Sequence, residues 1–382
     1  MQLLTRTIAS QLRKAIQPGK VLVILGPRRV GKSVLLQQLI QTLDEPHIFL
    51  NGEDLPAIQI LERRSVIHYQ EILGSRKLLV IDEAQKIPDI GKILKLMIDN
   101  LPGLKIIVTG SSAFGLSEHT GEPLTGRKKT FYLFPLSESE YRQIENKYES
   151  KEKLRHRMVF GNYPELLQIP DNNDKTAYLQ ELVNAYLLKD ILAFEGIRNA
   201  SVILKLLQLI AFQIGSEVSL PGLSSQLGIS RNTVEKYLDL LSKVFILYNI
   251  GGFSRNLRKE VTKSSKWYFF DNGIRNVLVA NLNPLDLRQD VGQLWENYVL
   301  SERMKVQRYN GMLVFNYFWR TYDQQEIDWV EDKGGQLYGY ECKWNVHSKA
   351  KPPVAWEASY PDTPFEVIHP DNYQNWLEGI IP

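Results

Sequence analysis

Gly26-Pro27-Arg28-Arg29-Val30-Gly31-Lys32-Ser33 satisfies in full the pattern G-x-x-x-x-G-K-[S/T], and its neighbours supply the context that pattern needs. Val21-Leu22-Val23-Ile24-Leu25 before it is a continuous apolar run rich in β-branched residues, which reads as a buried strand. Val34-Leu35-Leu36-Gln37-Gln38-Leu39-Ile40 after it spaces its apolar residues as one face of a helix. A glycine-rich turn between strand and helix points successive backbone N–H groups, and the positive end of the helix, at one small volume. The occupant such a volume suits is phosphate.

On that reading the loop Gly26–Ser33 holds the phosphates, Lys32 reaches the β- and γ-phosphates, and Ser33 offers a hard oxygen to Mg²⁺. A second stretch agrees with it. Lys77-Leu78-Leu79-Val80-Ile81-Asp82-Glu83-Ala84-Gln85 is a buried-strand run ending in two carboxylates, of which Asp82 is expected to hold Mg²⁺ and Glu83 to polarise an attacking water. A further apolar run, Leu104-Lys105-Ile106-Ile107-Val108, ends in Thr109-Gly110-Ser111-Ser112, whose hydroxyls are candidates to reach the γ-phosphate or its water. Arg127, in Leu124-Thr125-Gly126-Arg127, is a candidate arginine finger, since a guanidinium suits charge developing on a transferring phosphoryl group, and it equally suits a solvated basic stretch. The expected ligands are ATP and Mg²⁺.

The 382 residues allow two or three domains, and 43% hydrophobic with 23% charged content supports packed cores rather than disorder. A net charge of +3 is too small to point to a partner, so any nucleic-acid argument rests on local basic patches. Cys342 stands alone, which excludes an intrachain disulfide and fits a reducing compartment. No charged-then-apolar leader and no apolar run long enough to span a bilayer is present, so a cytoplasmic location without membrane partners is expected.

Residues 1–18 read as a short amphipathic helix carrying Leu3, Leu4, Ile8, Leu12 and Ile16. Strand and helix then alternate through residues 1–136, which predicts an α/β domain with a parallel sheet and its ligand at the strands' C-terminal ends. Residues 137–200 are helical in pattern, a lid or connector opened by Ser137 as N-cap. In 201–280, Ser219 to Leu238 gives short helix, glycine turn and second helix, followed by two strand-like runs, the pattern of a winged helix. Between those runs Arg255, Arg258, Lys259, Lys263 and Lys266 face the lone acid Glu260, a basic wing suited to a DNA backbone. The helix itself mixes Glu235 and Asp239 with Arg231 and Lys236, so a protein partner is the alternative.

Residues 281–382 carry a β-hairpin about Gly334-Gly335. Pairing Lys333 with Gln336 and counting outward sets Asp328 opposite Glu341 and Glu326 opposite Lys343, all four on one face. Two carboxylates that close need a cation. A divalent metal on Asp328, Glu341 and Glu296, with Lys343 orienting water, is the arrangement of a PD-(D/E)XK nuclease; Lys343 neutralising an acid on a surface hairpin is the plainer one.

Taken with Phe134-Pro135-Leu136-Ser137, Gly161-Asn162-Tyr163-Pro164-Glu165, Leu294-Trp295-Glu296-Asn297 and Glu341-Cys342-Lys343, these motifs make the chain resemble prokaryotic AAA-type ATPases whose C-terminal half is a domain of unknown function. The resemblance implies an additional-strand ATPase core of sheet order 5-1-4-3-2, Mg-ATP as ligand, a winged helix, and a nuclease-like α/β final domain. Ile327 stands where the nuclease pattern has proline. The implied activity is ATP hydrolysis put to work on DNA; the alternative is an ATP-operated switch holding a protein partner, with the nuclease-like site inactive. A homo-oligomer enters only if Arg127 acts across a subunit boundary.

Overall fold

The computed structural model describes residues 4–111, 124–187, 200–254 and 265–379, and these form two compact units. The first runs to Pro135 and takes in Lys243–Phe245; the second comprises Leu136–Ser242 and Ile246 onward.

In the first unit α1 (Ala9–Ala15) precedes β1 (Val21–Leu25), α2 (Lys32–Gln41), β2 (His47–Asn51), α3 (Leu55–Glu62), α4 (Val66–Leu73), β3 (Leu78–Asp82), α5 (Ile90–Asn100), β4 (Lys105–Gly110) and β5 (Lys128–Tyr132). The five strands are parallel in the order β2-β3-β4-β1-β5, the order expected, and the chain is an α/β P-loop NTPase fold followed by a second α/β unit. Strand burial agrees with this order. β1 and β3 are buried at every position and β4 at all but its first, as near-continuous apolar runs must be when helices cover both sheet faces, whereas β2 alternates exposed with half-buried residues at one edge. Helix α5 turns Ile90, Ile93, Leu94 and Met97 inward at spacings of three and four, each buried side chain worth roughly 1.5–3 kcal/mol. The N-terminal segment is helical only over α1, where Leu12 is fully buried.

The second unit contains α6 (Glu138–Tyr141), α7 (Lys147–Phe160), α8 (Asn172–Glu181), α9 (Ala200–Phe212), α10 (Leu220–Leu227), α11 (Arg231–Lys243), α12 (Asn272–Leu278) and α13 (Val291–Tyr309). Its strands are β6 (Glu217–Val218), β7 (Leu247–Gly252), β8 (Ser265–Phe269), β9 (Phe315–Arg320), β10 (Glu326–Lys333), β11 (Gln336–Cys342) and β12 (Phe365–Ile368), with α14 (Val354–Ser359) and α15 (Tyr373–Glu378) beside them. One sheet, β12-β11-β10-β9-β7-β8-β6, joins strands from the 201–280 segment to those from 281–382 through the parallel pairs Gly251–Tyr317 and Gly252–Phe318. The helices after Ser137 belong to this unit. Arg157 of α7 lies 2.7 Å from Glu145, Glu302 of α13 accepts from the Glu138 and Asn162 nitrogens at 2.8 and 2.9 Å, and Lys305 sits 2.6 Å from Glu302. All of these groups are buried, so removing any one leaves an uncompensated charge or orphaned donor. No described helix is long and apolar enough to cross a membrane.

Candidate nucleotide site and the C-terminal acidic cluster

Parallel pairing brings the loop and both carboxylates to one sheet edge. Leu25 pairs with Gly110 and Ile81 with Val108, so the residues following β1, β3 and β4 emerge side by side. Gly26 is held close to β5: a Cβ there would lie 2.0 Å from the Leu133 carbonyl oxygen. Gly31 ends the loop at φ +89°, a conformation glycine adopts freely, and α2 starts at Lys32. Lys32 is 5% exposed, and its Nζ donates to the Gly26 and Pro27 carbonyls at 3.0 and 2.9 Å. The ammonium is thereby folded into the loop whose phosphate it is expected to hold. Val30 is fully buried and pins the loop, while Arg28 is half-buried and Arg29, at φ +64°, exposed. Ser33 is half-buried on the first turn of α2.

Asp82 is buried at the end of β3, with Oδ1 accepting from the Thr109 hydroxyl and, at 3.2 Å, from the Glu83 N–H. Thr109 Oγ1 in turn accepts from the Glu83 N–H at 3.0 Å, so one buried threonine orients both acids. Nothing among the described residues bonds Asp82 Oδ2 or the Ser33 hydroxyl. A buried carboxylate oxygen and a hydroxyl at one edge are the hard donor set Mg²⁺ takes beside phosphate oxygens, so the residues fit Mg-ATP. Glu83 sits at φ +50°, a left-handed conformation uncommon for a side-chain-bearing residue. Gln85 Nε2 donates to Glu83 Oε2 at 2.5 Å and to Ser111 Oγ at 2.9 Å. Ser112 lies outside the described residues.

Two residues here escaped the sequence reading. Arg6 donates to the Val30 and Phe134 carbonyls at 2.6 Å each, bracing the loop from the N-terminal segment. An arginine in an apolar segment was the one available signal, and its target is remote in sequence. Gln85 was visible only as a motif letter. Arg127 is not brought to the loop: Val21 accepts Lys128 as its partner in the parallel β1–β5 pair, so Arg127 lies at the other end of β1, roughly 16 Å of strand away. Its Nε donates instead to Asp99 at 2.6 Å. An arginine-finger role therefore requires a neighbouring copy.

The hairpin forms in the expected register from Lys333–Gln336 to Trp329–Tyr340, where the pairing ends, with Asp328 and Glu341 the next residues on the two strands. The expected metal triad does not follow. Among the described residues no three His, Cys, Asp or Glu come together in a way that could hold a metal ion. A lysine supplies the cation instead. Lys266 of β8, 1% exposed, bonds Glu326, stands 3.9 Å from Glu296 Oε1 and lies over the Phe318 ring. Tyr268 donates to Glu296 at 2.6 Å, the Cys342 N–H donates to Asp328 at 2.8 Å, and Lys343 pairs with Glu341 at 2.7 Å. Burial first, then the Asp328 charge, pushes Glu296 up to about 8. Burial likewise raises Asp328 and Glu341. For Lys266 burial works downward and is outweighed by Glu296, Asp328 and Glu326, which raise it. The ammonium stays charged beside carboxyls whose ionised forms burial disfavours. Lys266 is equally lost to the basic wing; Arg255, Arg258, Lys259 and Lys263 lie outside the described residues. On α11 the exposed residues are Arg231, Asn232, Glu235, Lys236 and Asp239, with Arg231 paired to Glu235 at 2.9 Å.

A parallel 2-3-4-1-5 sheet with a phosphate loop after β1 and an acidic pair at the end of β3 is the arrangement of a P-loop NTPase domain. Residues 18–142 match the family model described as AAA domain; residues 151–286 and 291–371 match two domains of unknown function, DUF8612 and DUF4143. Uncharacterized protein MJ1544 of Methanocaldococcus jannaschii is 27% identical over 402 residues, covering 96% of this chain and 87% of that protein. Uncharacterized protein Rv2008c of Mycobacterium tuberculosis is 26% identical over 344 residues, 88% of this chain and 73% of that protein. Among solved structures, the Thermotoga maritima RuvB Holliday junction branch migration motor aligns at TM-score 0.33 and 17% identity, over 64% of this chain and 89% of that one.

Proposed function

We propose that the chain binds and hydrolyses Mg-ATP, and that turnover operates the second unit as a switch that holds a partner without cutting nucleic acid. The observation that carries the first half is the shared edge on which Lys32, Asp82, Glu83 and Thr109 converge, with Lys32 already inside its own loop. Lys32 would neutralise β- and γ-phosphate charge, Ser33 and Asp82 would hold Mg²⁺, and Glu83 would take the proton of the attacking water. In the second unit we read α10, α11 and β6–β8 as a winged helix and α13 with β9–β12 as a nuclease-like fold. Lys266 within its acidic cluster supports an inactive nuclease site. The near-neutral exposed face of α11 supports a protein partner over a DNA backbone.

DNA binding is kept as the second reading because of Arg255, Arg258, Lys259 and Lys263. ATP-dependent capture of a protein from nuclease-treated extract, lost in Lys32→Ala, is the expected result. Salt-sensitive retention on DNA together with DNA-stimulated ATPase would favour the second reading. Mn²⁺-dependent cleavage of DNA lost in Asp328→Asn would overturn the inactive site.

A further inference from the structure

Beside the proposed nucleotide site, one side chain has an unusual division of labour. Gln85 donates from a single nitrogen to two acceptors, Glu83 Oε2 at 2.5 Å and Ser111 Oγ at 2.9 Å. Its carbonyl oxygen, Oε1, is buried and has no partner among the described residues. Rotating the amide would not resolve this, because it would turn a carbonyl toward an acceptor-only carboxylate. A buried acceptor without a donor is costly, and such groups in native proteins ask for an explanation. Here the explanation lies in the neighbours: Glu83 carries the expected base, and Ser111 ends the strand whose Thr109 orients that base's backbone.

We propose that Gln85 is a positioning residue for hydrolysis, anchoring one oxygen of Glu83 through its amide nitrogen so that the other is presented to the attacking water. This rests on the ATPase reading above. In the step it serves, the water oxygen bonds to the γ-phosphorus as the bond from that phosphorus to the β–γ bridging oxygen breaks. The electron pair leaves on ADP, and the water proton passes to Glu83 and then to solvent. Gln85 neither gains nor loses a proton. Glu83 lies in the left-handed region at φ +50°, and its anchor is a residue only two positions on.

The test compares wild type, Gln85→Ala and Gln85→Glu for ATP affinity, kcat and KM. Gln85→Ala is expected to keep ATP affinity and KM within about twofold and to lose kcat by about 10–100-fold, the scale of a mispositioned catalytic group. In Gln85→Glu a carboxylate replaces the amide donor to Glu83, so kcat is expected to fall at least as far as in Gln85→Ala while KM stays within about twofold. Retained ATP affinity shows that both variants are folded. A Gln85→Ala or Gln85→Glu enzyme with wild-type kcat overturns the inference and leaves the ATPase reading intact. A wild type that binds ATP without hydrolysing it overturns both.

Discussion

At Gly26 a methyl group has no room: it would sit 2.0 Å from the Leu133 carbonyl oxygen, a main-chain atom that cannot swing aside. Gly26→Ala must therefore displace either the loop or β5, and a loss of about 1–3 kcal/mol in urea unfolding of the first unit is expected, together with weakened ATP binding. Wild-type stability with wild-type affinity in that variant would contradict this placement. The motif letters of the loop were legible because their chemistry is local: turn glycines, a lysine, a hydroxyl. Arg6 was not, since nothing near residue 6 indicates that its guanidinium ends on the carbonyls of Val30 and Phe134. Gln85 shows an intermediate case, present in the motif but without a role until the distances to Glu83 and Ser111 are known.

Among elements, the β10–β11 hairpin separates what pattern can and cannot reach. Its register followed from period-two alternation and a Gly-Gly turn, and Lys333 does face Gln336. The need for a cation was equally legible. Its identity was not, because Lys266 arrives from β8, sixty residues before its partner Glu326. Lys266→Met leaves buried carboxylates without their cation and is expected to cost about 3–5 kcal/mol, read as a fall in the unfolding midpoint of the second unit. A midpoint equal to wild type would remove Lys266 from that role. The same cluster sets a pH dependence. Glu296, facing Asp328, Lys266, Tyr268 and Glu326, has its folded value raised from 4.5 to about 8, so the folded state holds the proton more tightly than the unfolded chain. Its contribution is complete below about pH 4.5 and is lost as pH rises through 8. Glu296→Gln should flatten this part of the stability profile, and an unchanged slope between pH 5 and 8 would assign it elsewhere.

For the molecule as a whole, the sheet order 2-3-4-1-5 could be anticipated only from the resemblance, with which strand burial agrees: the buried runs of β1 and β3 lie inside and the half-exposed β2 at an edge. The seven-stranded sheet could not. It depends on a two-residue parallel contact between β7 and β9, too short to leave a pattern in either strand. The consequence is that β8 and β10 share one sheet, which brings Lys266 to Glu326. Millimolar Mn²⁺ without nucleotide should leave the unfolding of the second unit unmoved, and a rise abolished by Glu341→Gln would restore the metal site. Whatever the second unit does under the proposed scheme depends on hydrolysis at the first unit's sheet edge. The most direct measurement is the steady-state release of phosphate from Mg-ATP by the full chain and by Lys32→Ala. Turnover by the wild type, reduced to background in Lys32→Ala, is the predicted result; equal rates in the two proteins, or none in either, would contradict it.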